Sequence, residues 1–576
     1  MATTSGISGV STYYQPSITF SGLGSDVDFA SIIDKLVEVE SAQIERFESW
    51  KSEWSEKITA LEDLNTKMTD LRTSAASMNT LTKFVSKIAS SSSTSVLTAT
   101  ASSSATSGTH QVLVNQLAQN EIEVHSGLSA STTVVNSSGS AKVFAFSYAG
   151  GAAVSISVAD GATLSDLAAA INASGANPGV TATVLDMGAS YGATRYRLQL
   201  QGNGSGSTNT IAIDDALTTL DGTGGTQNFE SATFTLAQAA QNAQIRVDGY
   251  PAGTWIERST NVIGDVISGV TLSLLNTSGT AVQVTVNDDT SAMQEKIEDL
   301  VEKFNGVISY IKEQTNFDST TGEAGILLGN YAVEIVKGAL NAIGSGNAPG
   351  FKDPNDPYLN LAQIGITTDV DETSDTFGQL VIDSSTLTSA LGSNPTGVAR
   401  LMSAYFRGVS DDLAGNITYY SSLPGITQPG TYDVTATVAG GVLTGGTING
   451  HAATVSGDTL TGQSGYDEYG LAVKINLVDG NYTGTVRLQM GKNGQFSEKL
   501  DDLLSFTSGP VNILINNYQD IIDGIDAKIE AEERRVEAVR RRLTEQFARV
   551  DAILSTLNQQ SEYLSTQLKK LTSSSN

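Results

Sequence analysis

Two seven-residue repeats of apolar side chains, one near each end of the 576-residue chain, constrain the fold more than any other feature. The N-terminal repeat and its companion series, offset by three residues, comprise Phe47, Trp54, Leu61, Met68 and Ala75, and Trp50, Lys57, Leu64, Leu71 and Met78. The C-terminal repeat comprises Ile529, Val536, Leu543, Val550, Leu557, Leu564 and Leu571. Apolar residues at this spacing predict long helices that bury one face against a partner helix.

The two repeats predict one antiparallel pair, in which the chain leaves along the first helix and returns along the second. Helices over Asp26–Asn79 and Gly524–Thr572 would have similar lengths, roughly 80 and 75 Å. The SGLGSDVD segment that opens the first helix supplies side chains able to cap it. The first helix is rich in glutamate and the second in arginine, so exposed ion pairs would orient the two helices. The alternative is that each repeat is a solvent-facing helix packed on a globular domain.

The middle of the chain alternates short apolar runs with turns rich in glycine, asparagine and aspartate, which predicts strands. The clearest predicted strands cover 111–115, 180–184, 196–200, 243–247 and 282–286. One short helix, Thr163 to Asn172, opens with a capping box formed by Thr163 and Asp166. An amphipathic helix follows Asp289, and the Ser/Thr/Ala tract at 90–107 predicts a linker or an extended edge.

A second β-rich segment is predicted between residues 420 and 490. Its GTYDVTATV run, starting at Gly430, resembles the GTHQVLV run that starts at Gly108. Its INGHA run, starting at Ile448, resembles the segment that starts at Ile245. These two likenesses indicate that one small β-module was used twice.

Composition excludes several classes of protein. The formal net charge of -28 opposes nucleic-acid binding, which depends on neutralising phosphates with cations. The chain has no cysteine, so it can form no disulfide or thiolate metal site. No apolar run is long enough to span a membrane. The first 25 residues carry no charged side chain and lack the basic and apolar regions of a secretory signal, so we expect either a cytoplasmic protein or export through an uncleaved N-terminus.

No catalytic or cofactor site is predicted. The three histidines, His110, His125 and His451, have no paired nucleophile and no ligand spacing, so we interpret them as structural residues. The glycine-rich stretch at 202–206 lacks the Gly-Lys-Ser/Thr end of a phosphate-binding loop. The acidic run that starts at Asp369 lacks the glycine and glutamate of a calcium loop, which indicates a solvated turn.

Three segments together resemble the flagellar filament cap family, known as FliD or hook-associated protein 2. The first is SGLGSDVDFASIIDKLV, starting at Ser21, and the second is LAQIGITTD, starting at Leu361. The third combines GQLVID at Gly378 with LGSNP at Leu391 and VARLM at Val398. The GTHQVLVNQLAQ run at Gly108 also fits, and the short helix from Thr163 resembles a motif shared among flagellar axial proteins.

The resemblance implies an α+β multidomain fold, with antiparallel terminal helices forming a coiled-coil leg and β-rich head domains inserted between them. Terminal helical segments would cover 1–45 and 546–576, and the helical leg domain 46–104, 290–419 and 491–545. A β-rich head would cover 105–130 and 228–289, an outer β-rich head 131–227, and an additional lobe 420–490. We expect the terminal helices to stay mobile until assembly, since amphipathic helices are marginal alone.

The resemblance also implies a structural, non-enzymatic role without a cofactor, at the distal filament tip. The protein would leave the cell through the flagellar type III export channel, and copies would assemble as a ring, by family resemblance a pentamer. Its partners would be flagellin, the hook–filament junction proteins and an export chaperone, and neither nucleic acid nor membrane. The expected assembly interface comprises Ile32, Ile33, Leu36, Val37, Phe47, Trp54, Leu61, Val550, Leu557, Leu564, Leu568 and Leu571.

Three alternatives remain at this point. Another axial protein, such as flagellin or a junction protein, would share the paired ends but lack the segments at Ser21 and Leu361. A surface adhesin could use the β-rich lobes to bind host glycans, and a cap could also contribute to cell adhesion. A coiled-coil scaffold inside the cell would be retained in the cytoplasm.

Overall fold

The computed structural model describes residues 28–318 and 321–573. Nine α-helices are found in this part of the chain: α1 (Phe29–Ser77), α2 (Leu81–Phe84), α3 (Leu164–Ala173), α4 (Thr290–Thr315), α5 (Tyr331–Ser345), α6 (Ser384–Ser393), α7 (Pro395–Ser403), α8 (Lys492–Leu503) and α9 (Pro510–Ser573). The side chain of Asp28 caps α1 by accepting a hydrogen bond from the backbone N–H of Ser31. Asp28 lies in the SGLGSDVD segment, so that prediction of an N-cap is confirmed.

A helical core is built where the second half of α1 packs against α4, α8 and the start of α9. The α1 heptad residues Leu61, Leu64, Met68 and Leu71 are fully buried there. The predicted amphipathic helix after Asp289 is confirmed as α4, whose apolar face is buried from Met293 to Ile311. Burial of this kind supplies most of the stability of a long amphipathic helix.

The helix at the C-terminus begins earlier than its heptad pattern predicts. α9 starts at Pro510 rather than Gly524 and has 64 residues, against 49 for α1. Its first turns remain helical because Val511 is buried and Leu514, Ile515 and Tyr518 pack against the helical core. The prediction of two helices of similar length was therefore wrong. Leu571 lies in the helix, but its side chain is outside the described part of the structure.

A first β-rich region lies between α2 and α4. Its strands are β1 (Lys87–Ser91), β2 (Leu97–Ala101), β3 (Gly108–Gln116), and, after the outer region described below, β11 (Ala243–Val247), β12 (Ile256–Arg258), β13 (Val262–Ile267), β14 (Val270–Leu274) and β15 (Val282–Asp288). They form two antiparallel sheets, in the orders β1-β15-β3-β11-β12 and β13-β14-β2. Both sheets contribute to one apolar core that includes Leu97, Val112 and Val284.

The Ser/Thr/Ala tract at 90–107 contributes strands to both sheets of this region. β1 and β2 each form the edge of a sheet, so the expectation of an extended edge is confirmed and that of a linker was wrong. Small hydroxyl side chains alternate with Leu97, Ala99 and Ala101, which face the core. A low-complexity composition therefore conceals a strand whose inward face is apolar.

An outer β-rich region is inserted between β3 and β11. Its strands are β4 (Ile122–His125), β5 (Lys142–Tyr148), β6 (Val154–Val158), β7 (Val180–Asp186), β8 (Tyr196–Gly202), β9 (Ile211–Ile213) and β10 (Phe234–Gln238). They form the sheets β10-β4-β8-β7 and β6-β5-β9. The region has its own core, from Val135 to Phe229, and includes α3, whose predicted Thr163–Asp166 capping box is confirmed.

A second β-rich region lies between α7 and α8. Its strands are β18 (Arg407–Ser410), β19 (Ile417–Ser421), β20 (Gly430–Ala439), β21 (Val442–Ile448), β22 (His451–Ala452), β23 (Thr454–Ser456), β24 (Thr459–Thr461), β25 (Ala472–Ile475) and β26 (Gly480–Gln489). They form the sheets β18-β26-β20-β21-β22 and β19-β25-β24-β23 around a separate apolar core. A small hairpin of β16 (Ile366–Thr368) and β17 (Leu380–Ile382) packs on the helical core. All five strands singled out in the sequence are strands of the fold.

Candidate assembly surface

α1 and α9 run antiparallel along a series of side-chain contacts. Moving towards the start of α1, the contacts join Asn65 to Asn512 by a hydrogen bond of 2.8 Å and Lys51 to Asp526 by an ion pair of 2.6 Å. Further along, Glu40 pairs with Arg535 at 2.7 Å, Asp34 pairs with Arg540, and the rings of Phe29 and Phe547 lie 5.3 Å apart. The antiparallel direction predicted from the sequence is confirmed. The predicted pairing of acidic α1 residues with α9 arginines is confirmed for Glu40 and Asp34, whereas Lys51 and Asp526 pair in the opposite sense.

Aromatic side chains fill the middle of this helix pair. The Trp54 and Tyr518 rings lie 4.8 Å apart, where the pair leaves the helical core. The Lys528 ammonium lies 5.3 Å from the Trp50 ring and 6.0 Å from the Phe47 ring. Cations over aromatic faces attract the ring quadrupole. The packing of this part of the pair is therefore mixed, with apolar, cationic and acidic side chains all contributing.

The C-terminal part of α9 continues for 26 residues past Phe547, roughly 40 Å of helix, whereas α1 begins at Phe29. We call residues 548–573 the α9 extension. Its heptad residues Val550, Leu557 and Leu564 are 42%, 54% and 60% exposed. Leu568 is 62% exposed. The extension therefore presents a line of large apolar side chains at its surface.

The predicted interface residues of α1 divide into three groups. Ile32 and Leu36 are exposed, at 39% and 42%. Val37, Phe47 and Trp54 are partly buried along the helix pair, and Ile33 is buried. Leu61 is fully buried in the helical core, so it cannot contribute to a surface of the folded chain.

Sequence reasoning missed other exposed apolar residues beside this set. Val39 on α1 and Ile553 and Tyr563 on the α9 extension are 74%, 61% and 66% exposed. Val39 and Tyr563 lie outside the seven-residue series, so the heptad pattern does not select them. Ile553 lies three residues after Val550, in the weaker companion stripe of the C-terminal repeat. A wider apolar face, with a period of 3.6 residues, includes Val39 beside Ile32 and Ile553 beside Val550. Tyr563 lies about 100° around the helix from Leu564 and falls outside that face.

The three histidines lie in local packing arrangements. The His125 ring stacks on Phe229 with centroids 4.3 Å apart, and burial lowers its pKa. The His110 imidazole lies 2.8 Å from the Asp248 carboxylate, and the pKa of Asp248 is lowered chiefly by the N–H of Gln111. His451 lies 2.7 Å from the buried Glu468. None of the three faces a nucleophilic side chain in these contacts.

The acidic run at Asp369 forms a turn closed by its own hydrogen bonds. The Asp369 carboxylate accepts from the Thr376 hydroxyl and the Asp371 N–H, and the Thr376 bond is the main cause of its lowered pKa. The Asp371 carboxylate accepts from Thr373 in the same way. Within residues 28–318 and 321–573, no group of three or more His, Cys, Asp or Glu side chains is placed to hold a metal ion.

A buried polar cluster joins the second β-rich region to the helical core. The Arg487 guanidinium pairs with Asp356 and, at 2.8 Å, with Asp411, and it donates to the carbonyl of Gly350. Nearby, the Lys492 ammonium donates to two backbone carbonyls, and burial lowers its pKa to about 8. A buried charge without partners would be costly, so these contacts hold the base of the region in one position.

No helix in the described part of the chain is long and apolar enough to cross a membrane.

Two protein-family models match most of the chain. The family model for the flagellar hook-associated protein 2 C-terminus matches residues 240–559, and the family model for the N-terminus matches residues 25–121. The flagellin hook IN motif matches residues 143–204, which contain α3.

Curated relatives carry the same family name. Flagellar hook-associated protein 2 of Escherichia coli K12 is 28% identical over 436 residues, covering 73% of this chain and 88% of the relative. B-type flagellar hook-associated protein 2 of Pseudomonas aeruginosa is 26% identical over 448 residues, covering 73% and 87%. Among solved structures, the D1-D2-D3 domains of the Escherichia coli flagellar cap protein FliD align with a TM-score of 0.45 and 26% identity, over 59% of this chain and 89% of that one.

Proposed function

The chain belongs to the flagellar hook-associated protein 2 family, the family of the flagellar filament cap, and we propose that it caps the filament as a ring of copies that promotes folding and insertion of exported flagellin. Membership confirms the family that the segments at Ser21 and Leu361 resemble. The role is that of a structural flagellar protein at the filament tip. The ring, the action on flagellin and export through the type III channel are the proposed parts.

The observation that carries the proposal is the exposed apolar line on the α9 extension. Exposed contiguous apolar side chains on a helix mark surfaces that bind other proteins. We propose that Val550, Leu557, Leu564, Leu568 and Leu571 dock against neighbouring helices of the assembly. Ile32 and Leu36 on α1 would contribute to the same surface, with Ile33, Val37, Phe47 and Trp54 supporting it from inside the helix pair.

The domains would act as a coiled-coil leg carrying β-rich heads. The proposed domain divisions are those expected from the sequence, with boundaries moved to follow strand pairing. The first segment of the helical part ends near residue 86, because β1 and β2 belong to the two sheets of the first β-rich region. The second segment of the helical part ends near residue 404, because β18 pairs with β26 and β19 pairs with β25. The outer head would cover about 118–241, since β4 and β10 pair with each other.

The leg would change partners mechanically as each flagellin subunit arrives. Helices whose stability depends on packing can exchange one apolar partner for another at little net cost. The proposed partners are a second copy of this chain, flagellin, the hook–filament junction proteins and an export chaperone. A pentameric ring is the proposed number of copies, by analogy with the family.

Removal of the α9 extension tests the proposal in cells. A chain that ends at Arg549 keeps the helical core and every β-sheet, so it should fold and be exported, yet filaments should not grow and flagellin should appear in the medium. The matched control replaces exposed polar residues of the same extension, Gln559→Ser with Thr566→Ser, and should give normal filaments. Normal filaments from the truncated chain would refute the assembly role of the extension.

A further inference from the structure

We infer that residues 405–491 repeat the β-module formed by residues 86–117 and 243–289, and that the β20–β21 turn of the repeat is an acceptor site for a folded domain. We call residues 86–117 and 243–289 the first module and residues 405–491 the second module. The short sequence likenesses at Gly108 and Gly430 and at Ile245 and Ile448 suggest a repeat, and the strand pairing establishes it.

The two modules have the same strand order. The five-stranded sheets are β1-β15-β3-β11-β12 and β18-β26-β20-β21-β22. In each, the first strand lies at one edge, the last strand pairs beside it, and the third strand is central. The second sheets are β2-β14-β13 and β19-β25-β24, the latter with β23 added at its edge. In each module the last strand leads directly into a helix, α4 or α8, that packs on α1.

The two modules also share their register. In each module the central strand, β3 or β20, begins at a glycine that pairs with the last strand, β15 or β26. The residue four positions after that glycine pairs with the last residue of the neighbouring strand, β11 or β21. The pairs are Gly108 with Val286 and Gly430 with Leu488, then Val112 with Val247 and Val434 with Ile448. A one-residue slip would turn each strand's side chains to the other face, so agreement at both pairings is specific.

One turn repeats in atomic detail. The hairpin after β11 turns at Asp248 and Gly249, with φ of 53° and 80°, and that after β21 turns at Asn449 and Gly450, with φ of 53° and 84°. Positive φ at both central residues is the mark of a type I′ hairpin turn. The Asp248 N–H donates to the carbonyl of Gln111 at 2.8 Å, and the Asn449 N–H donates to that of Asp433 at 2.7 Å. Gln111 and Asp433 each lie three residues after the opening glycine of their strand.

The modules differ most between their third and fourth strands. The first module carries the whole outer β-rich region there, with its own core, and the two ends of that region are bridged at Gln119 and Gln241. The second module has only Gly440 and Gly441, with φ of 63° and 72°. A Cβ added at either glycine would meet nothing within 4 Å. Open hairpin tips of this kind are the positions at which inserted domains are tolerated.

Buried ion pairs at the base of the second module hold it, and with it the β20–β21 turn, in one position relative to the helical core. Arg487, buried against Asp356 and Asp411, occupies the position that partly buried Thr285 has in the first module. The turn lies at the far end of β26, roughly 30 Å away at 3.3 Å per residue. A domain attached at Gly440 would therefore be carried away from the helical core on a rigid support.

The inference is tested in the full-length chain by exchanging the segment that joins β3 to β11 with the turn that joins β20 to β21. In the first variant, residues 118–242 are replaced by Gly-Gly. In the second, residues 118–242 replace Gly440 and Gly441. Amide hydrogen exchange followed by mass spectrometry should show β3, β11 and β15 as protected as in the natural chain in the first variant. In the second, β20, β21 and β26 should stay protected, and the grafted domain should be as protected as the original.

A control places the same domain in the β13–β14 turn at Gly269, where a Cβ would come within 2.8 Å of the backbone of Ala105. That graft should unfold the first module, because the turn is packed rather than open. Loss of protection in β3, β11 and β15 on deletion, or in β20, β21 and β26 on grafting, would overturn the inference. Equal protection in both grafts would also overturn it, since any turn would then accept a domain.

Discussion

The seven-residue repeat of α9 runs through two stretches that the structure treats differently. Before Phe547, Val536 is buried and Ile529 and Leu543 are partly buried against α1. After Phe547, Val550, Leu557 and Leu564 continue the same spacing yet are all exposed. The repeat specifies which face of a helix is apolar, while the length of the partner helix decides where that face is covered. Under the proposed function, a partner in the assembly covers the second stretch.

Truncation of the α1 repeat inside the helical core should give the largest effect. Leu64 is fully buried among α1, α4 and α8, so Leu64→Ala removes buried methyl groups and leaves a cavity. We expect a loss of about 2–5 kcal/mol in the free energy of unfolding, measured by urea denaturation. An unchanged midpoint would show that the helical core is not continuous through α1. The matched control is Leu557→Ala, at an exposed position of the repeat.

Ion pairs between α1 and α9 should contribute less. Arg540→Ala removes the partner of the exposed Asp34 and should lower the free energy of unfolding by about 0.2–1 kcal/mol. Most of that difference should disappear at high salt, which screens exposed ion pairs. Hydrogen exchange at the start of α1 should report it more clearly than global unfolding. The double exchange Asp34→Arg with Arg540→Asp should restore the natural rates. Failure of that double variant to restore them would argue against pairing in this register.

Truncation of the exposed repeat should have the smallest effect on the single chain. Leu557→Ala and Leu564→Ala remove side chains that are more than half exposed, so each should change the free energy of unfolding by less than about 0.5 kcal/mol. Sedimentation of the assembled protein should nevertheless shift towards smaller species. A loss comparable to that of Leu64→Ala would mean that the extension is covered within one chain.

The sequence alone predicts the apolar faces of α1, α4 and α9 and the clearest strands, because each depends on local periodicity. The antiparallel pairing was predicted instead from the lengths and opposite charges of the two terminal helices. The sequence does not predict the start of α9 at Pro510, since Val511 and Tyr518 are buried by contacts with distant segments. Strand β2 was obscured because its threonines face outward and its inward face carries small alanines beside Leu97. Leu61 and Leu557 have the same place in their repeats, and only tertiary packing separates a core residue from a surface one.

The most direct test of the assembly surface uses the absence of cysteine from the natural chain. A Leu557→Cys variant has a single thiol, in the middle of the α9 extension, and can be oxidised on intact flagella. The account predicts a disulfide between two copies when Leu557 lies at their contact, or a bifunctional cross-link from the thiol to flagellin. The neighbouring Gln559→Cys variant should give little of either. Absence of any cross-link from Leu557→Cys on growing filaments, or equal yields from both positions, would contradict the account.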